Sequence, residues 1–203
     1  MIRNRGGEGG FGKLYGLDLP GVKEWLFCPG MLFRSTGKWW GDRGRRNRPH
    51  EGLDLLLYRD QEERVLRLSE TTPIPVMSDG VVVGIIHDFL GKSVIVEHPV
   101  PDRDDERHYT IYGHTRPRKN IRAGTAVKRG EAIATLAPQG RSAFPMAPHL
   151  HISVAWAPTA VSPDHFNWDT MAVSELLTLL DPLPVISRRC RILGDDDPVC
   201  RGL

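Results

Sequence analysis

The chain has little cysteine: three in 203 residues, none of them in a Cys-x-x-Cys pair. A zinc site built from thiolates therefore has little support. An odd count leaves at least one cysteine without a partner in the chain. Cys190 and Cys200 bracket the C-terminal tail and could pair in an oxidising compartment, leaving Cys28 alone; three free thiols is the equal alternative. Net charge is only +2, so overall charge does not argue for nucleic acid as a partner. Long apolar runs are missing too, and none approaches the ~20 residues of a membrane helix. The stretch MIRNRGGEGGFGKLYG is basic with no apolar segment behind it and does not read as a signal peptide. Cys28 follows Phe27, which is too large for the residue before a lipoprotein cysteine.

What the chain has in plenty is glycine (21) and proline (16). Together they favour many short elements joined by turns, and so β-structure over long helices. The 40% hydrophobic and 26% charged fractions are usual for a globular protein, and the length suits one domain with extensions. Residues 1–47 read as an irregular extension packing on the core, 48–185 as the main domain and 186–203 as a tail. Within the extension, residues 34–48 hold six basic residues and one acid (Asp42) around Trp39-Trp40. This reads either as a solvated loop or as one wall of a groove for an acidic polymer.

From His50 onward, runs of four to eight residues rich in Val and Ile alternate with Gly and Pro punctuation. Residues 53–58, 74–76, 80–86, 93–96, 109–112, 132–136 and 150–155 read as strands of an antiparallel all-β domain. One late helix is predicted over 170–180, where Met171, Val173, Leu176, Leu177 and Leu180 recur at spacings of three and four.

Two local patterns carry chemistry. In His50-Glu51-Gly52-Leu53-Asp54 the even offset puts His50 and Asp54 on one face of an extended chain, while Glu51 points away. In His149-Leu150-His151, on a strand that Pro148 introduces, both imidazoles share a side and Leu150 faces the core. Either pattern alone is weak, since a single histidine is usually a surface or core residue. Together they make a set of two histidines and a carboxylate, which suits zinc with an open position.

On these residues the chain resembles the lysostaphin/LytM-type zinc metallopeptidases, which cut the peptide part of bacterial peptidoglycan. The resemblance runs from about residue 50 to 155. It rests on HEGLD (50–54), YTIYGH (109–114) and PHLHISV (148–154), in that order, with PIPVMSDGVVVGI (73–85), GKSVIVEH (91–98) and AGTAVKRGEAIATL (123–136) as scaffold. It implies an antiparallel β-sandwich catalytic domain and Zn2+ held by His50, Asp54 and His151. It places His114 and His149 beside the attacking water and the scissile carbonyl, one taking a proton and the other hydrogen-bonding the oxyanion; sequence does not say which does which. It reads His98 as structural. Tyr109 and Tyr112 are candidates for a hydrogen bond to substrate, although packing is the commoner role of strand tyrosines. The implied partner is the peptidoglycan peptide stem, met by a monomer in the periplasm or outside the cell, although no signal peptide is visible. Protonation of His50 or His151 would compete with zinc below pH ~6.

The pattern departs from the family's at Thr115, where Leu is common, and at 139–147 (QGRSAFPMA), which replaces the usual glycine-rich turn. Two other readings compete. One is a metal-binding scaffold that regulates cell-wall enzymes without hydrolysis; five filled polar positions argue against it. The other is a biotinyl/lipoyl-type carrier, but neither Lys92 nor Lys119 stands in the required hairpin motif.

Overall fold

Short β-rich runs can satisfy their backbone groups only by pairing, and they pair here into two sheets. The computed structural model describes residues 16–100, 105–138, 146–171, 176–186 and 189–203. Its strands are β1 (Glu24–Phe27), β2 (Leu53–Leu55), β3 (Leu57–Arg59), β4 (Val65–Arg67), β5 (Pro73–Pro75), β6 (Gly80–His87), β7 (Lys92–His98), β8 (Glu106–Pro117), β9 (Ala126–Val127), β10 (Ala132–Leu136), β11 (Leu150–Pro158), β12 (Thr178–Leu180) and β13 (Cys190–Ile192). Three single-turn helices complete it: α1 (Trp168–Met171), α2 (Leu183–Ile186) and α3 (Pro198–Arg201).

The larger sheet runs β12-β11-β8-β7-β6-β9, with β2 on β11 and β10 joining β8 to β5. All its pairings are antiparallel, and the molecule is all-β as the sequence predicts. The smaller sheet, β13-β1-β3-β4, is antiparallel except for the parallel β1–β13 pair.

The period of two sorts the core. Val94, Val96, Tyr112, Ile152 and Val154 pack into one cluster with the β1–β3 region, while Ile95, Tyr109, Ile111 and Ala155 pack into another under Phe166 and Met171. The central strands are covered on both faces, so β11 is buried along its whole length except Pro158. Among the described residues no helix is long and apolar enough to cross a membrane.

Three expectations need correction. The predicted helix over 170–180 is helical only as far as Met171; residues 172–175 lie outside the described part, and Thr178–Leu180 is strand β12, Leu180 opposite Val154. Leu176, Leu177, Leu179 and Leu180 fit a period of two as well as one of 3.6. The open edge of β11 decides between them, because it offers a ladder to otherwise unpaired backbone groups. The disulfide joins Cys28 to Cys200, 5.7 Å apart at Cα, and Cys190 is the free thiol. Cys190 is held in the ladder opposite Trp25, whereas α3 brings Cys200 to the end of β1. The third concerns Tyr109 and Tyr112, whose side chains are wholly buried. The Tyr112 hydroxyl accepts from the Met77 N–H at 2.8 Å and that of Tyr109 donates to Glu97 at 3.2 Å, so both are core residues with their polar ends spent. The loop at 139–147 falls mostly outside the described residues.

Candidate metal centre

β11 and β2 pair with His151 opposite Asp54, which sets one imidazole beside the carboxylate from the edge of the sheet. His50 reaches the same point from the loop before β2. Gly52 makes that approach possible. A Cβ there would lie 2.2 Å from the Ile152 carbonyl oxygen and 2.6 Å from His151 Nε2, so no side chain fits between the loop and β11.

Three atoms converge. His50 Nε2 lies 3.1 Å from Asp54 Oδ1 and 3.1 Å from His151 Nδ1, and His151 Nδ1 lies 3.0 Å from Asp54 Oδ1. All three residues are at most 3% exposed. His50 Nδ1 is 3.0 Å from the Leu32 carbonyl, which only accepts, so that nitrogen carries the hydrogen and the neutral ring leaves Nε2 bare. Burial lowers His151 to about 4, with the Asp54 hydrogen bond only partly offsetting it, so this ring is neutral at pH 7. Burial alone would raise Asp54, but the surrounding histidines outweigh it and hold the carboxyl well below its ordinary range. Three acceptor atoms thus share at most one hydrogen in a dry site, an arrangement that costs energy unless a cation sits among them. Three ligands bonded at about 2 Å around a tetrahedral zinc are separated by about 3.3 Å, close to the spacing found. The donor set fits a divalent metal of the zinc type.

A second layer orients the first. Asp54 Oδ2 accepts from the Trp39 indole N–H at 2.7 Å and lies 3.4 Å from Arg46, whose guanidinium also bonds the Gly30 and Gly37 carbonyls. Ser153 lies 2.9 Å from His151 Nε2. Residues 34–48 are therefore more than a solvated loop: they supply two donors to the carboxylate, and Trp40 and Arg46 wall a cavity of about 180 Å³ over it. Glu51 is on that wall but outside the three-atom cluster.

His149 and His114 line the same cavity. His149 Nδ1 donates to the Ala147 carbonyl at 2.9 Å and its Nε2 stands 3.7 Å from Asp54 Oδ1. Burial lowers this imidazole to about 3 despite the attraction of Asp54, so its Nε2 is bare at pH 7. His114 enters from β8 at a bulge: between the pairs Lys92–Thr115 and Val94–Tyr112, β7 advances two residues and β8 three. His114 there has φ +60, a left-handed conformation costing of order 1–3 kcal/mol in a side-chain-bearing residue. Its ring lies 4.8 Å from His149 and 5.7 Å from His151, with Trp168 stacked at 6.4 Å and Phe89 edge-on at 4.7 Å.

The five polar residues singled out in the sequence thus meet at one point. Sequence reasoning flagged residues 34–48 around Trp39 as a groove wall but not the bonds of Trp39 and Arg46 to Asp54, and it missed Ser153 and Trp168. Ser153 had a signal, the even offset from His151 along one strand; Trp168 and the bonds to Asp54 act across the fold and left none.

Residues 59–163 match the family model for peptidase family M23, just over half of the chain. The chain belongs to peptidase family M23. His114, His149 and His151 fall inside the M23 match, whereas His50 and Asp54 precede it. No curated protein matches significantly. Similar solved structures include a zinc-containing peptidase from Vibrio cholerae, at 18% identity over 87% of this chain and 40% of that one (TM-score 0.46). Lysostaphin is similar at 21% identity over 82% and 55% (TM-score 0.43). A mutant catalytic domain of the prophage-encoded M23 protein EnpA from Enterococcus faecalis is similar at 20% identity over 77% and 98% (TM-score 0.40). The chain spans about half the length of the first two of these solved structures or less.

Proposed function

We propose that this M23 chain is a zinc-dependent endopeptidase that hydrolyses peptide bonds in peptidoglycan cross-links. The observation that carries the proposal is the triangle of His50 Nε2, Asp54 Oδ1 and His151 Nδ1, three buried acceptor atoms with too few hydrogens among them. Held by these residues, zinc would keep a net charge of +1 and supply Lewis acidity to the scissile carbonyl and the attacking water.

The protein's own groups do the rest. Trp39 and Arg46 hold Oδ2 of Asp54, which leaves Oδ1 turned toward the histidines. His114 and His149 flank the triangle as two imidazoles outside the ligand set, one to accept the water's proton and one to hydrogen-bond the oxyanion. Phe89, Met146 and Trp168 give the cavity apolar walls that limit water. Arg46 and the exposed Arg34 and Arg48 beside the cavity suit the carboxylates of a peptide stem. The Cys28–Cys200 bridge fits action in the periplasm or outside the cell, where this polymer lies.

The test measures zinc content and release of peptide fragments from purified peptidoglycan by the wild type, His151→Ala and His149→Ala. The expected result is loss of both metal and activity in His151→Ala, and loss of activity with metal retained in His149→Ala. A wild type that holds zinc yet releases nothing from any wall type would overturn the reading and leave a non-hydrolytic metal protein.

A further inference from the structure

Asp88 has no place in the metal triangle, yet it accepts four hydrogen bonds beside the cavity. It closes the β6–β7 hairpin, and its side chain is completely shielded from solvent. Oδ1 accepts the Leu90 and Gly91 N–H groups at 3.0 and 2.6 Å. Oδ2 accepts the Ser93 hydroxyl at 2.7 Å and the backbone N–H of His114 at 2.9 Å. The fifth neighbour is the His114 ring, with Nδ1 3.2 Å from Oδ1, short of full hydrogen-bond alignment. Burial would raise this carboxyl, but His114 and Ser93 outweigh it and Asp88 stays ionised.

This carboxylate grips one residue twice. The backbone bond braces the bulge that holds His114 at φ +60, and the ring contact faces the sealed nitrogen of the imidazole. An anion beside Nδ1 favours the tautomer with hydrogen on Nδ1, so Nε2 is left bare toward the cavity that His114 lines. We infer that Asp88 is a positioning residue for the peptidase reaction, fixing the backbone, ring orientation and tautomer of His114 so that His114 Nε2 takes the proton of the attacking water. In that step the O–H pair becomes the new bond to the scissile carbon, the carbonyl π pair moves to its oxygen, and the proton rests on Nε2 of a ring whose Nδ1 faces the Asp88 charge. The inference rests on the peptidase reading.

The test uses the full chain with Asp88→Asn, His114→Ala and the double variant. Zinc content, kcat and KM on wall peptides are measured, together with 15N NMR of the histidine rings in metal-free protein. Asp88→Asn should keep its zinc and KM, lose about 10- to 100-fold in kcat, and shift His114 away from the Nδ1–H tautomer. In the His114→Ala background the same change should cost nothing further. Four other donors converge on Asp88, so if Asp88→Asn fails to fold, Ser93→Ala, which removes one donor and keeps the carboxylate, should show a loss of a few-fold in the same direction. An unchanged His114 tautomer, or an equal loss of kcat with and without His114, would overturn the inference. If the wild type cuts no wall at all, the peptidase reading fails, while the NMR result still decides whether Asp88 sets the His114 ring.

Discussion

Strand β8 carries a buried histidine near each end, and the two ends are different chemistry. At one end His108 lies opposite His98, with their rings 5.8 Å apart and Trp156 4.6 Å from His108. At the other, six residues on, His114 meets His149 and His151. Both groups are buried and aromatic-lined. They differ in how the nitrogens are spent. His98 Nδ1 lies 2.9 Å from the Asp79 carbonyl and its Nε2 2.9 Å from Thr110, so both ring nitrogens have partners. At the metal end, His50 Nε2, His151 Nδ1 and Asp54 Oδ1 point at one another. A cluster of buried histidines does not itself mark a site; lone pairs left facing lone pairs do.

The largest way to break this contrast is Gly52→Ala. The new methyl must occupy space held by the Ile152 carbonyl and the His151 ring, neither of which yields cheaply. Zinc affinity should fall by about 100-fold, as expected when ligands lose their alignment, with a stability loss of about 1–3 kcal/mol. Competition with a chromophoric chelator measures the first and urea melts the second. Unchanged zinc affinity would mean that the loop before β2 can deliver His50 without the close approach.

Trp39→Phe sharpens the contrast with a smaller change. It keeps an aromatic ring against His149 and removes the N–H that Asp54 Oδ2 accepts. Affinity for zinc should fall about 10-fold by the same competition assay, with no change in secondary structure by circular dichroism. A full-affinity variant would leave Arg46 as the sole holder of that oxygen.

The sequence made the middle of the fold legible and left its margins dark. Every predicted run from 53 to 155 meets strand, with 53–58 broken at Leu56 into β2 and β3 of different sheets, because Val- and Ile-rich runs between Gly and Pro are local information. The period of two put His149 and His151 on one side, whereas His50 reaches Asp54 from the loop before β2 and not along an extended face. β1, β4, β9, β12 and β13 were not foreseen: β4 and β9 are only three and two residues long, and β1 and β13 form a ladder only with each other and with β3, across most of the chain. The cysteine pairing failed for that reason, since nothing near Cys200 in sequence reports that α3 packs at the end of β1. Asp88 drew no reading in the sequence, because its hold on His114 depends on a bulge in β8 that no spacing reveals.

Acid is the mildest probe and separates the two ends by what metal can rescue. Burial lowers His149 to about 3 and His151 to about 4, and it lowers His98 as well. Each titrates near 6.5 once unfolded. Between pH 6.5 and 4 the unfolded chain therefore binds more protons than the folded one, and stability falls as pH falls through that window. For the metal-free protein, Tm should drop by at least roughly 5 °C between those limits. Zinc should recover the part of this loss that belongs to the metal end, because it binds the neutral ring of His151, and should do nothing for the part owed to His98. His98→Gln should thus lessen the acid sensitivity that persists with zinc present, measured by calorimetry at matched metal concentration. If zinc instead abolishes the whole pH dependence, the two ends are coupled through β8 and are not the separate environments their hydrogen bonds describe.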